Sequence, residues 1–229
     1  MYERVLTVPD AVERENLAAF CTRAMRLDDA AVIRMRARDG GGVSCWAATG
    51  FDALAARVVS GTVAPVDTCA GADVLVAALR QADDGVIDPG FSMDSAWRGA
   101  LPPDGGFEHL DDVPARILVG LAQRGAALAK EHGSSHGPPS SLLEQQVLHV
   151  SGETDEVSIS MRTVFALTAM GFVPHSGTDP MTIDVDPDRI AADEVVRVRA
   201  TPVWVRLDAR YGSVYVRRAG NPLSLTVER

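Results

Sequence analysis

Arginine recurs at every second position in two stretches of this chain, and a tryptophan follows each closely: Val32-Ile33-Arg34-Met35-Arg36-Ala37-Arg38 with Trp46, and Val196-Arg197-Val198-Arg199 with Trp204. Side chains alternate across a strand, so Arg34, Arg36 and Arg38 share one face while Ile33, Met35 and Ala37 share the other. The chemistry on offer is recognition, not bond-making. Guanidinium groups beside aromatic rings stack bases, hold phosphates or anchor a protein partner. The same pattern also serves an ordinary amphipathic strand whose tryptophan lies flat beneath arginine stems. Near the C-terminus Val203, Val205, Leu207, Val214 and Val216 are expected to point inward, and Trp204, Arg206, Tyr215 and Arg217 outward. With Arg197 and Arg199, these exposed aromatics and cations make the candidate binding surface.

Other chemistry-bearing residues lead to no site. His132 and His136 have the spacing that puts two imidazoles on one helix face, but Gly133 and Gly137-Pro138-Pro139 break that helix and no third ligand follows. Asp179, Asp184, Asp186 and Asp188 resemble an acidic calcium loop until Pro187 and Arg189 interrupt it and Val195 stands where the bidentate glutamate belongs. Ser134, Ser135, Ser140 and Ser141 lack a nucleophile elbow, and His175 reads as a turn residue. Gly40-Gly41-Gly42 runs on into Val43-Ser44, as a hairpin turn does, and no phosphate-cradling glycine motif is present. No catalytic residue, metal or cofactor is therefore assigned.

The elements that must position the arginines follow from periodicity. Residues 3–8 read as a strand and Pro9-Asp10 opens a helix to about Arg26, with Leu17, Phe20, Cys21, Ala24 and Met25 on its apolar stripe. Strands are expected at 31–38 and 43–49, joined as a hairpin, and at 53–62. The helix from Ala70 to Ala82 is apolar on nearly every side from Val74 to Leu79, which predicts cover on more than one face. Gly99 to Gly106, rich in proline and glycine, reads as a boundary. Beyond it come a strand at 107–112, a long helix from Pro114, a loop at 133–141, strands at 145–150 and 156–160, and an apolar helix at 161–172. Strands at 181–185, 194–200, 202–208, 213–218 and 223–227 complete the chain. The fold class expected is α+β: two related sheet-plus-helix units with mainly antiparallel sheet, spanning 1–105 and 106–229. Glu3-Arg-Val-Leu-Thr-Val-Pro9 beside Glu108-His-Leu-Asp-Asp-Val-Pro114 points to an internal duplication, although the second unit must then omit a strand.

With 46% hydrophobic and 23% charged residues, the 229-residue chain lies in the globular range, well away from disorder. A net charge of −9 argues against general affinity for nucleic acid. The charge is unevenly spread: Arg197, Arg199, Arg206, Arg210, Arg217, Arg218 and Arg229 face only Asp208 and Glu228 after Val195. Cys21, Cys45 and Cys69 are odd in number and widely spaced, which points to a reducing compartment. The N-terminus lacks signal-peptide character and no apolar run approaches the roughly 18 residues of a membrane span, so a cytoplasmic protein is expected.

The alternating order of strands and helix pairs over most of the chain resembles that of the processivity clamps that encircle DNA. The resemblance implies domains that pair a sheet with two helices, with basic helices lining a ring. The helix after Pro9 sets Asp10, Glu13 and Glu15 against Arg14, Arg23 and Arg26 and is neutral. Lys130 is the only lysine among 22 basic residues, and in this bias the chain also resembles uncharacterised conserved proteins of high-GC actinobacteria. The reading that results is a non-catalytic cytoplasmic interaction or scaffold protein, working as a homodimer or with an unknown protein partner. A clamp-like DNA-associated protein is the alternative. A hydrolase-type enzyme with the 133–141 loop near its site is the third.

Overall fold

Asp10 ends the first strand and starts the first helix for a local reason. Its carboxylate accepts a hydrogen bond from the Glu13 backbone N–H at 2.9 Å, so α1 (Ala11–Leu27) opens with a satisfied cap directly after β1 (Val5–Thr7). The computed structural model describes residues 4–132, 138–174 and 185–218. The expected strand at 223–227, all but Val185 of that at 181–185, and His136, His175, Asp179 and Asp184 lie outside the described residues. So do residues 133–137 of the expected loop.

The first half continues as a hairpin, β2 (Val32–Ala37) and β3 (Val43–Ala48), whose turn uses Gly41 and Gly42 at φ 87° and 82°. Then come β4 (Ala53–Val59), β5 (Thr62–Ala64), β6 (Asp67–Gly71), α2 (Ala72–Gln81) and β7 (Val86–Ile87). The second half is β8 (Glu108–Pro114), α3 (Ala115–His132), the short α4 (Ser140–Glu144), β9 (Gln146–Ser151), β10 (Glu156–Ser160), α5 (Met161–Ala169), β11 (Val195–Ala200), β12 (Trp204–Ala209) and β13 (Gly212–Arg217). This is the expected mixture of helix pairs and antiparallel sheet.

Sequence reading expected one strand over 53–62, but there are two. Glu13 on α1 takes the Ser60 backbone N–H and the Ser60 hydroxyl, pinning a turn there. The chain leaves the sheet, and β5 pairs with β1 in a three-stranded sheet of order β5-β1-β7. Helix α2 is covered on one side only: Leu75, Val76 and Leu79 are buried against α1 and the sheet, while Val74 is 45% exposed.

The main sheet has eight strands in the order β6-β2-β3-β4-β13-β12-β11-β8, and it runs through both halves without a break. The seam is β4 against β13, antiparallel, with Val214 opposite Ala55 and Tyr215 opposite Leu54. Helices α1 and α2, and α3 and α5, pack pairwise over one face. Ile33, Met35, Ala55, Val198, Leu207 and Val214 point to that side and join Leu17, Phe20, Leu118 and Leu167 in one core. Phe20 on α1 stacks on Phe172 after α5, with ring centroids 6.2 Å apart, so the core crosses the seam. Gly212 allows this closeness: a Cβ there would lie 2.4 Å from Phe172 Cε1 and 2.7 Å from the Ala56 carbonyl oxygen.

The halves differ in the order of their parts. Five strands separate α1 from α2, whereas only β9 and β10 lie between α3 and α5 among the described residues. The similar segments ending at Pro9 and Pro114 also take different places. β1 is the centre of the small sheet, and β8 is an edge of the large one.

Candidate interaction surface

Strand alternation puts Arg34, Arg36, Arg197, Arg199, Arg206 and Arg217 on the sheet face opposite the helices, together with Trp46, Trp204 and Tyr215. The outward side of the pattern is as the sequence predicts. The exposed aromatics are not: Trp46, Trp204 and Tyr215 are 4%, 7% and 7% exposed. They form a second apolar cluster with Ala56, sealed by Trp97, Leu101 and Phe107 from the segment between β7 and β8. That segment was expected only to separate the units. It lies across the sheet because three large apolar side chains gain burial there, with Phe107 edge-on to Tyr215 at 5.8 Å. Trp46 and Tyr215 meet at 4.9 Å. Val203, expected inward, precedes β12 and is 49% exposed.

The arginines around this cluster are mostly spoken for. Arg199 lies directly opposite Arg206 across the β11/β12 ladder, a pairing that repels unless a counter-charge intervenes. Asp208 supplies it, taking bonds at 2.5 Å from Arg199 Nη1, Arg206 Nε and the Ser213 hydroxyl. Arg206 also lies over the Tyr215 and Phe107 rings, at 5.3 and 5.6 Å. Arg34 makes a two-pronged pair with Asp67 at 2.7 Å, and this pair holds the guanidinium pKa above its ordinary value. Arg217 covers Trp204 at 4.7 Å, and Arg197 reaches Asp112 only at 4.0 Å. At the end of β13, Arg218 grips Asp155 through two nitrogens, and these hydrogen bonds lower the Asp155 pKa.

Of the six residues singled out from sequence, Arg199, Arg206, Trp204 and Tyr215 therefore build a platform, and Arg197 and Arg217 stand at its surface. Sequence reasoning missed Asp208 and Phe107. Asp208 was within reach, since it continues the alternation of Trp204 and Arg206 on one face. Phe107 gave no signal, because its partner lies in a strand more than a hundred residues away. Among the described residues no group of three or more potential metal ligands occurs, and no helix is long and apolar enough to cross a membrane.

The thiols are buried and unpaired. Burial pushes the Cys21 pKa well up, that of Cys45 up to about 12 and that of Cys69 up to about 11, from an ordinary value of 9.0. Between pH 9 and 11 the unfolded thiols ionise while the folded ones hold their protons, so stability present below pH 9 is lost as the pH rises. Melting temperature is expected to fall steadily over that range, and Cys45→Ala should shallow the fall. An unchanged slope in the variant would contradict the assignment. At pH 8 the native protein should leave a thiol-reactive disulfide dye uncleaved until denaturant is added.

No curated protein matches this sequence. The fold is similar to that of the DNA polymerase III β subunit of Thermotoga maritima, at 12% identity and TM-score 0.54, over 96% of this chain and 66% of that one. It is similar to a putative DNA polymerase III β subunit of Eubacterium rectale, at 10% identity and TM-score 0.57, over 97% and 67%. The DNA polymerase sliding clamp of Bacillus subtilis matches at 12% identity and TM-score 0.56, over 97% and 66%. The chain thus spans about two thirds of the length of these proteins, and the likeness is one of fold. A family described as a domain of unknown function, DUF8010, matches residues 1–99, and a second, DUF8185, matches residues 102–221. The second match takes in more than half of the sequence, and the chain belongs to the DUF8185 family of domains of unknown function.

Proposed function

We propose that this protein is a non-catalytic clamp-type scaffold that self-associates and holds duplex DNA against its helix layer. One observation carries the reading: a sheet continuous through two units and backed by a helix pair in each, similar to solved sliding clamps over nearly the whole chain. Charge supports it. Arg26, Arg80, Arg116, Arg124 and Lys130 are exposed on the helices against exposed Glu15, Asp73, Glu131 and Glu144, so the helix layer carries a slight basic excess within a chain of net charge −9.

Under this reading residues 1–105 and 106–229 are the two units, a division supported by family matches that end at 99 and begin at 102. A protein partner would meet the opposite face through Arg197 and Arg217, with Arg199, Arg206, Trp204 and Tyr215 as the rigid platform beneath. Three free, buried cysteines support a reducing, cytoplasmic setting, and the arginine bias supports a high-GC actinobacterial source.

The test is retention on DNA. The protein should bind a labelled duplex at low salt, lose affinity as salt rises, and stay longer on closed circles than on linear duplex with open ends. Reversing Arg116 and Arg124 to glutamate should weaken binding about tenfold or more, through lost phosphate contacts. Absence of binding at low salt would sink the DNA reading, and a monomer at all concentrations by light scattering would sink self-association.

A further inference from the structure

We propose that the cleft between α1 and the α3/α5 pair, on the helix side of the seam, binds an anionic amphiphile: an acyl chain ending in a single carboxylate, as in a medium-chain fatty acid. The cavity measures about 720 Å³. Small-ligand sites commonly enclose about 300–1,000 Å³ and favour the junctions between units.

Small side chains leave the space. Helix α1 pairs with α2 and α3 with α5, and where the two pairs face each other the lining is Ala19 from α1 and Ala122, Ala126 and Ala129 from α3. Methyl groups at this spacing share one helix face and are too short to bridge two helix pairs. Phe51 and Phe165 line the same cavity. Their ring centroids lie 6.0 Å apart at a tilt of 47°, and both side chains are only half-buried. Water there finds few partners, whereas a hydrocarbon chain would cover the apolar area that the rings and methyl groups leave open.

Charge sets the sign of the ligand. Among the described residues the lining holds Arg23 and Arg57 and no aspartate or glutamate. Register puts Arg57 on the helix side of the sheet, opposite Cys45 on β3. Its guanidinium gives one hydrogen bond, from Nη1 to the Tyr211 carbonyl at 2.9 Å, and no ion pair with a described residue. Glu13, the carboxylate that acts on it through space, is engaged with Ser60. Nε is sealed off from any ligand, so the contact falls to Nη2. Burial lowers the Arg57 pKa, and a carboxylate beside it would raise it again. Arg23 is held on the same lining by its bonds to the Met170 and Gly171 carbonyls, at 3.3 and 3.4 Å. Gly171 makes room for it, since a Cβ there would lie 2.4 Å from the Arg23 Cζ.

A duplex cannot enter a cavity of this size. Neither arginine belongs to the pair whose reversal tests DNA binding, so the two readings fail separately.

The experiment titrates the full chain with decanoate below its micelle concentration, at constant ionic strength, beside decanol and decyltrimethylammonium. Decanoate should raise the melting temperature and bind with a negative heat-capacity change, as burial of apolar surface requires. Decanol should bind about tenfold more weakly, for want of a charge-assisted contact, and the cationic amphiphile should not bind. Arg57→Gln should weaken decanoate about tenfold and leave decanol unchanged, a difference that mere loosening of the fold would not produce. Ala126→Phe, at an exposed helix position, should fill the cleft and abolish both, while Arg197→Gln, on the other face of the sheet, should change neither. No binding of decanoate, equal binding of the three head groups, equal effects of Arg57→Gln on decanoate and decanol, or undiminished binding by Ala126→Phe would overturn the proposal.

Discussion

Phe172→Ala is expected to lower the unfolding free energy by about 3–5 kcal/mol, the usual cost of emptying a large aromatic from a packed core. Phe172 is 1% exposed and lies where the halves meet. Its ring stacks nearly parallel to that of Phe20, at 8° between planes, and Gly212 is kept bare beneath it. Its carbonyl also accepts the Tyr211 backbone N–H at 3.1 Å, and that turn in turn fixes Arg57. Little on either side can collapse into the void, because one wall is β-sheet backbone. Urea unfolding should show a shifted midpoint and a single transition, since both halves share the core. Phe172→Leu should cost far less. A loss below about 1 kcal/mol for the alanine variant would show that the seam is not packed as described.

Asp208→Ala is the second large effect, at about 2–3 kcal/mol. Removing one member of a fully buried ion pair costs about 3–5 kcal/mol, and a discount applies because the arginines are partly wet. The Asp208 side chain is 12% exposed, whereas those of Arg199 and Arg206 are 32% and 25% exposed. Most of the cost lies in what remains: two guanidinium groups directly opposed on neighbouring strands with no anion between them. Adding Arg199→Ala to the variant should therefore recover part of the loss. If the double variant is less stable than the single by the full cost of an independent substitution, the aspartate does not act by separating the arginines.

Both effects arise at places that sequence marks unequally. The alternation in Val32 to Arg38 and in Val195 to Ala200 sets which side chains share a face, and the sheet obeys it strand by strand. The capping aspartate at Asp10 and the glycines after Asp39 mark a helix start and a turn through local chemistry alone, and both are found where the residues place them. The break at Ser60 was hidden, because it depends on Glu13 reaching across from α1. The strands β5, β6 and β7 are short and pair only with distant segments, so their own residues carry too little periodicity to reveal them.

The candidate surface divides along the same line. An arginine ladder with tryptophan nearby is a local pattern, and sequence alone determined that these groups face away from the helices. It also determined the α+β class and the antiparallel character, since alternation and amphipathic period are properties of neighbours along the chain. Whether the aromatics meet solvent was decided only by tertiary structure. Trp97, Leu101 and Phe107 come from a connection with no periodic pattern, and they bury Trp204 and Tyr215 because apolar area is gained wherever the chain brings it together. The same folding buries the Trp46 and Arg57 side chains on opposite faces of the sheet and leaves one N–H of each without an acceptor. Burial and hydrogen-bond satisfaction depend on partners far apart in sequence, and only the folded chain puts those partners within reach.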